Sequence, residues 1–376
     1  MKLTKLMLSA SVAALALVSC NKMDTVPEVA KRLKTVEVSL ENIALTKGAA
    51  GNKIEAGDAV LLNDFQIFLT DASGNEYTAK IADGSKDAQT YWSSADLSTG
   101  AIEAAFHYVD PNCTKVVAVA NIGKMLTFAE YKALEALKIE DQQDQASLSL
   151  YDEKELKLAS GQHSDLNVNG TTYVADVYKA DLVLTPRISR FEVDGFTVKF
   201  NSEPKYNEIT VTQLAFQNYY PTTSLLTGVE SGTLVNHITN LTDQAEVYNW
   251  LDNSEKPEAW YRDYFELTMT PDAATKDTPA PLAYHMFSNT EAPVMVIKLL
   301  ADDQPAYLYS KGFYKADGTP VTNFEEGKIY RMSAKGEVEN DGSIPIDEDD
   351  IDPMDRCLEI TVDVVDWAVE LVYPEF

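Results

Sequence analysis

The last 21 residues, Arg356 to Phe376 (RCLEITVDVVDWAVELVYPEF), alternate apolar and polar side chains twice, in opposite phase. Leu358, Ile360, Val362 and Val364 share one parity, with Glu359, Thr361 and Asp363 between them. Val365, Trp367, Val369, Leu371 and Tyr373 share the other. A period of two marks a strand with one buried face, and a strand cannot change faces without an extra residue. A bulge or crossover is therefore expected near Val364–Val365, giving two consecutive strand segments.

The same period recurs along the chain. Val36, Val38 and Leu40 alternate with Glu37, Ser39 and Glu41. Strand-like runs follow at 59–70, 101–109, 115–121, 174–185, 188–200, 209–216 and 294–300. Turn residues such as Asp71-Ala72-Ser73-Gly74-Asn75 separate them, so the expected class is all-β, built as sandwiches. One stretch, Thr127–Leu150, reads as a helix because apolar residues near its start fall at helical spacing. A length of 376 residues suits two or three domains. Pro186 lies between two strand runs near the middle of the chain, and the domain boundary is expected there.

Lys and Arg number 31 against 59 Asp and Glu, a net charge of −28. That charge argues against nucleic acid and against docking on anionic lipid head groups. Hydrophobic residues make up 45% of the chain, enough for packed cores. The acidic run Asp347–Asp355 lacks the spacing of a calcium-binding loop and reads as a solvated connector. Metal ligands are scarce. His107, His163, His237 and His285 never fall three or four residues apart. The chain carries no nucleophile elbow, phosphate loop or dinucleotide fingerprint, so neither an enzyme nor a cofactor is expected. Tyr219-Tyr220 and the run Tyr248, Trp250, Trp260, Tyr261, Tyr264, Phe265 are candidates for a glycan-stacking surface or for core packing.

The amino terminus reads as an address. Lys2 and Lys5 precede a short apolar run, Leu6–Val18, that ends Leu17-Val18-Ser19-Cys20. This resembles a bacterial lipobox, which implies cleavage between Ser19 and Cys20 and acylation of the Cys20 thiol, palmitate included. Cys113 and Cys357 then remain, 244 positions apart, and read as isolated thiols. Thr46-Lys47-Gly48-Ala49-Ala50-Gly51 is a small-residue loop directly after the first strand.

Taken in order, these pieces resemble the Bacteroidetes fimbrillins, lipoprotein-derived pilins. The resemblance rests on the lipobox, the strand Thr35–Glu41 with the loop after it, and Leu182–Val193 (LVLTPRISRFEV). It also rests on Tyr284–Asn289 with Pro293–Ile297, on Gly327–Met332, and on the closing Val362–Trp367 and Pro374-Glu375-Phe376. It implies two tandem transthyretin-like β-sandwich domains with a C-terminal donor-strand tail. The implied parts are a signal peptide (1–19), a propeptide with a groove-filling strand (20–47), two sandwiches (48–185 and 186–355) and the tail (356–376).

It further implies a structural subunit of cell-surface fimbriae, a stalk pilin supporting adhesion. Tip or anchor subunits, or a non-polymerising glycan-binding surface lipoprotein, are the alternatives. The implied partners are other copies or related fimbrial subunits, a trypsin-like processing protease, and the outer membrane through the precursor's lipid anchor. Processing in the family follows Arg; the matching bond here is Lys47–Gly48. Once the propeptide strand leaves, Leu358, Ile360, Val362, Val364 and Trp367 of a neighbour's tail are expected to fill the groove by strand addition. Burying the four aliphatic residues contributes about 6–12 kcal/mol. Ordering the tail costs about 1–2 kcal/mol per residue, so both segments are needed for a durable joint. Deleting Arg356–Phe376 is expected to leave both sandwiches folded.

Overall fold

The computed structural model describes residues 33–40, 43–46, 60–98, 104–134, 137–144, 148–252, 260–288, 293–315, 317–322, 324–333, 343–351, 356–366 and 369–372. Ser19, Cys20, Lys47, Gly48 and Trp367 lie outside the described residues. The expected all-β sandwich class is the one observed. No described helix is long and apolar enough to cross a membrane.

The first sandwich faces two sheets together. One runs in the order Lys157–Val168, Thr171–Leu182, Lys34–Leu40, Ala105–Val109. The other runs Thr185–Pro186, Leu150–Glu155, Lys115–Ala120, Phe65–Thr70, Glu76–Tyr77. Val36, Phe65, Ile67, Phe106, Val116, Ala118, Leu150 and Leu182 meet between them in one core. The run expected as a single strand over 59–70 is broken at Asn63-Asp64. The Asp64 carboxylate accepts from the backbone N–H groups of Ile122 (3.1 Å) and Gly123 (3.0 Å), which turns the chain there.

The chain passes to the second group of strands at Ile188. Their order is Arg262–Met269, Ile209–Gln217, Val294–Ala301, Gln304–Lys315, Cys357–Asp366, Lys328–Ser333, Ile188–Lys199, Thr275–Phe287. This long sheet folds over Phe191, whose ring lies 5.7 Å from Phe216, 5.9 Å from Phe313 and 4.5 Å from Phe324 between centroids. Beside it Glu192 is buried between two arginines, 2.9 Å from Arg190 Nε and 3.0 Å from Arg331 Nη2. Gly195 permits a close crossing, because a Cβ there would stand 2.5 Å from the Lys276 carbonyl oxygen.

Three expectations change. The helix expected over 127–150 is one short turn, Phe128–Lys132, held by a reciprocal cap between Thr127 and Glu130. Leu137–Lys138 then pairs with Thr222–Thr223, and Gln142 and Gln143 bind His285, so tertiary pairing overrides helical spacing. The acidic run Asp347–Asp355 is partly folded: Asp347 ends the strand Ser343–Asp347, which pairs in parallel with Ile188–Lys199, and Glu348–Ile351 forms a 3-10 turn. Its Glu348 is fully buried, accepting from the N–H groups of Asn201 (2.7 Å) and Lys205 (3.0 Å). Third, of the bulge or crossover expected near Val364–Val365 it is the crossover that occurs, and it comes after Asp366: the strand Cys357–Asp366 keeps an unbroken register against Lys328–Ser333 through positions 364 and 365. The change of parity is a crossover, from that strand to a separate one at Val369–Val372.

The two sandwiches share a hydrogen-bonded joint. Arg187 donates to the carbonyls of Leu225 (2.8 Å) and Leu226 (3.0 Å), pairs with Glu326 and covers the Tyr151 ring. His285 donates from Nδ1 to the Gln142 carbonyl at 2.7 Å, and the Gln143 side chain brackets its backbone. Burial, with Arg190 nearby, holds the His285 imidazole neutral, down from 6.5 to about 3. Between those values the unfolded chain takes up a proton that the folded chain refuses. The contribution is therefore complete above about pH 6.5 and is lost as the pH falls. At pH 5 it should cost about 2 kcal/mol, at about 1.4 per pH unit. Denaturant melts of the wild type between pH 7 and pH 5 should show that slope. His285→Gln should lose it; an equal slope in both would exclude His285 as its source.

Candidate functional site

The strand Lys34–Leu40 is an inner strand of a four-stranded sheet whose other strands all come from beyond residue 104. It runs parallel to Thr171–Leu182, from Thr35 opposite Val177 to Leu40 opposite Leu182. It runs antiparallel to Ala105–Val109, with Val36 opposite Phe106 and a register shift between Lys34 and Val36.

Its alternation has a direct structural meaning. Val36 is fully buried in the core, and Val38 and Leu40 pack against the same core. Burying Val36 alone contributes about 1.5–3 kcal/mol. Thr35 is buried on the opposite face, with its hydroxyl against Ser164 Oγ and 3.1 Å from His107 Nδ1. Farther along, Glu37 pairs with Lys179 at 3.2 Å and Ser39 donates to Asp181. Both of those pairs are exposed and contribute little.

Lys34 anchors the start of the strand. Its ammonium donates to the Cys113 carbonyl and, at 3.4 Å, to the Pro111 carbonyl, and it stands 4.4 Å from the centre of the Tyr178 ring. Burial pulls its pKa below the usual lysine value. The neighbouring Cys113 is fully buried, and burial pushes its thiol up to about 11. Nothing in the sequence signals this cage, since its acceptors are main-chain carbonyls.

The tail occupies two places. Leu358 and Ile360 are buried in the second sandwich, and Val362 and Val364 lie on the same strand opposite Met332 and Tyr330. That strand, Cys357–Asp366, runs parallel to Gln304–Lys315 on its other side. Four of the five expected donor residues therefore share one strand of the chain's own second sheet. The short tail strand, Val369–Val372, instead joins the first half of the chain. It runs parallel both to Ile43–Thr46 and to Val60–Leu62.

The aromatic candidates pack inward. Tyr219, Trp250 and Tyr261 are buried, with His237 stacked 5.4 Å from Trp250 and 5.1 Å from Tyr261. Tyr264 is exposed, and its hydroxyl accepts from Arg262 at 3.1 Å, whose guanidinium lies over the Trp250 and Tyr261 rings. Cys113 and Cys357 are both free thiols. Among the described residues no group of three His, Cys, Asp or Glu side chains is arranged to hold a metal ion.

No family model matches the sequence, and no curated protein matches it. Solved structures do. A candidate cell adhesion protein from Parabacteroides distasonis aligns with a TM-score of 0.50 at 14% identity, over 90% of this chain and 98% of that one. A fimbrilin from Porphyromonas gingivalis aligns at 0.47 and 13%, over 90% and 98%. The tip fimbrial protein from the same organism, truncated at its C terminus, aligns at 0.39 and 9%, over 89% and 100%. The first of these is a likeness of fold across nearly the whole of both chains.

Proposed function

We propose that the chain is a structural subunit of a cell-surface fimbrium, exported as a lipoprotein and polymerised by proteolysis-triggered strand exchange. The observation that carries this reading is the seat of Lys34–Leu40. A strand supplied from the chain's amino-terminal segment fills the middle of the first sandwich, flanked by strands from 105–109 and 171–182. Cutting between Lys47 and Gly48 severs that strand from the sandwich it fills. Its departure would expose a groove with two rows of unpaired backbone groups, between strands that carry the core residues Phe106, Val109 and Ala180. Such an edge is a template for another chain. The donor is the tail Arg356–Phe376 of a neighbouring copy, with Leu358, Ile360, Val362, Val364 and Trp367 as its apolar material.

On this reading the chain is a stalk subunit, the processing enzyme is trypsin-like, and the precursor waits on the outer membrane. Cys20→Ala should prevent acylation and reduce surface-exposed protein at least tenfold, measured by labelled-fatty-acid incorporation and whole-cell immunoblotting. Normal surface delivery from that variant would remove the lipoprotein step. Mass spectrometry of protein sheared from cells tests the core of the proposal. Chains beginning at Gly48 support exchange. Chains beginning at acylated Cys20 would instead identify an anchor or a non-polymerising surface lipoprotein.

A further inference from the structure

The first strand is held on both of its faces. Toward the core it buries Val36, and on the other face Thr35 is also out of water. The Thr35 hydroxyl stands between side chains from two distant parts of the chain. It lies 3.1 Å from His107 Nδ1, on the strand Ala105–Val109, and against Ser164 Oγ, on the strand Lys157–Val168. A hydroxyl donates once and accepts twice, so Ser164 can donate to Thr35 and Thr35 to His107 while the ring is neutral. His107 is fixed at its other edge too, by main-chain bonds to and from Lys80, each 2.8 Å long.

The charged groups on the elements around the ring are already engaged. On the first strand, Lys34 donates to the Pro111 and Cys113 carbonyls, and Glu37 pairs with Lys179. Lys80 pairs with Asp87. On the hairpin, His163 beside Ser164 pairs with Asp176 at 3.3 Å. Burial opposes a charge on His107, and the Glu37 carboxylate favours one. Burial is the larger effect, and it holds the ring below its ordinary 6.5. With the first strand out of its seat, Thr35 no longer covers the ring, which then titrates nearer that ordinary value. The open seat therefore binds a proton in preference to the filled one. The hold of the seat is complete above about pH 6.5 and is lost as the pH falls.

We infer that His107 is an acid-sensitive latch on the first strand: the neutral ring, covered by Thr35, keeps the strand in its sandwich, and the protonated ring favours its departure. Protonation turns Nδ1 from an acceptor into a donor, so the Thr35 hydroxyl must reverse and donate to Ser164. The latch belongs to the uncut chain. Only its use, setting when a cut strand leaves, rests on the strand-exchange reading above. It is separate from His285, which sits at the joint between the sandwiches.

A native thiol reports the opening. Cys113 is fully buried with the Lys34 ammonium against its carbonyl, so it should react when the first strand lifts. The chain has three cysteines, and Cys20→Ala with Cys357→Ser leaves Cys113 alone. The uncut chain in that background is labelled with a dipyridyl disulfide, which reacts in acid. Dividing by the rate for the same chain unfolded in denaturant at each pH removes the thiol's own titration. Val36→Ala should raise the ratio at every pH, which verifies the reporter. Between pH 7.5 and pH 5.5 the ratio should rise about threefold or more. His107→Gln should flatten that rise, whereas His163→Gln and His285→Gln should keep it. Glu37→Gln should steepen it, because the carboxylate that favours the charged ring in the filled seat is gone. An equal rise in the His107→Gln chain, or loss of the rise in His163→Gln or His285→Gln instead, would overturn the latch. Because the chain is never cut, the outcome is independent of whether subunits exchange strands.

Discussion

Lys47→Gln should abolish polymerisation: the ladders that wild-type protein gives on mild-denaturant gels are expected to disappear, leaving a full-length precursor. The argument is topological. Lys34–Leu40 is held along both edges and at its start by the Lys34 cage, and its core residue Val36 is fully buried. A covalently attached strand in that position refills its own groove far faster than any neighbour can, because its effective concentration is high. Only breaking the chain turns an internal strand into one that can leave. Extended small-residue backbone suits a protease cleft, and Gly48-Ala49-Ala50-Gly51 supplies it.

Signal-peptide removal and this cut together take away seven of the 31 basic residues and four of the 59 acidic ones, moving the net charge from −28 to −31. Subunits that repel more strongly should assemble better as salt is raised. The decisive measurement is intact-mass spectrometry of assembled protein beside the Lys47→Gln variant. Ladders that persist in that variant, or mature chains beginning at Leu33 with the first strand retained, would exclude this bond as the trigger.

Strand periodicity carried well from sequence to structure where one face is buried. Val36, Val38 and Leu40 alternate and do face the core. The runs near 188–200, 209–216 and 294–300 became long strands, because each presents β-branched or aromatic residues to a core. Local periodicity misled at 127–150, where the pairing of Leu137–Lys138 with Thr222–Thr223 and the grip of Gln142 and Gln143 on His285 override it. Glu348 was illegible for the opposite reason. An acid in an acidic run reads as solvated, and only the fold brings the N–H groups of Asn201 and Lys205 to it. The Lys34 cage and the Thr35–Ser164 contact join residues 79 and 129 positions apart through a carbonyl and a hydroxyl, neither of which leaves a motif. At the tail, the parity flip located two strands, but period alone cannot say that they belong to different sheets.

That distinction sets the second large effect. Deleting Arg356–Phe376 should unfold the second sandwich, contrary to the expectation from sequence that both domains survive. The long tail strand lies between Gln304–Lys315 and Lys328–Ser333, and removing it cuts that sheet in two. Leu358 and Ile360 are both buried there. Truncating either to Ala costs about 2–5 kcal/mol, and losing the whole strand adds two rows of unpaired backbone groups, against a total stability of about 5–15 kcal/mol. A stop after Asp366 is a different matter. It keeps Leu358 and Ile360 and removes only the terminal segment, so the precursor should still unfold in two resolved or overlapping transitions close to those of the full chain. Its cut form should yield no ladders. Calorimetry of the two truncations beside the wild type separates the roles. A deletion from Arg356 that melts like the full chain would mean that the long tail strand is dispensable to its own domain. A stop after Asp366 that still polymerises would mean that the terminal strand is not what joins one subunit to the next.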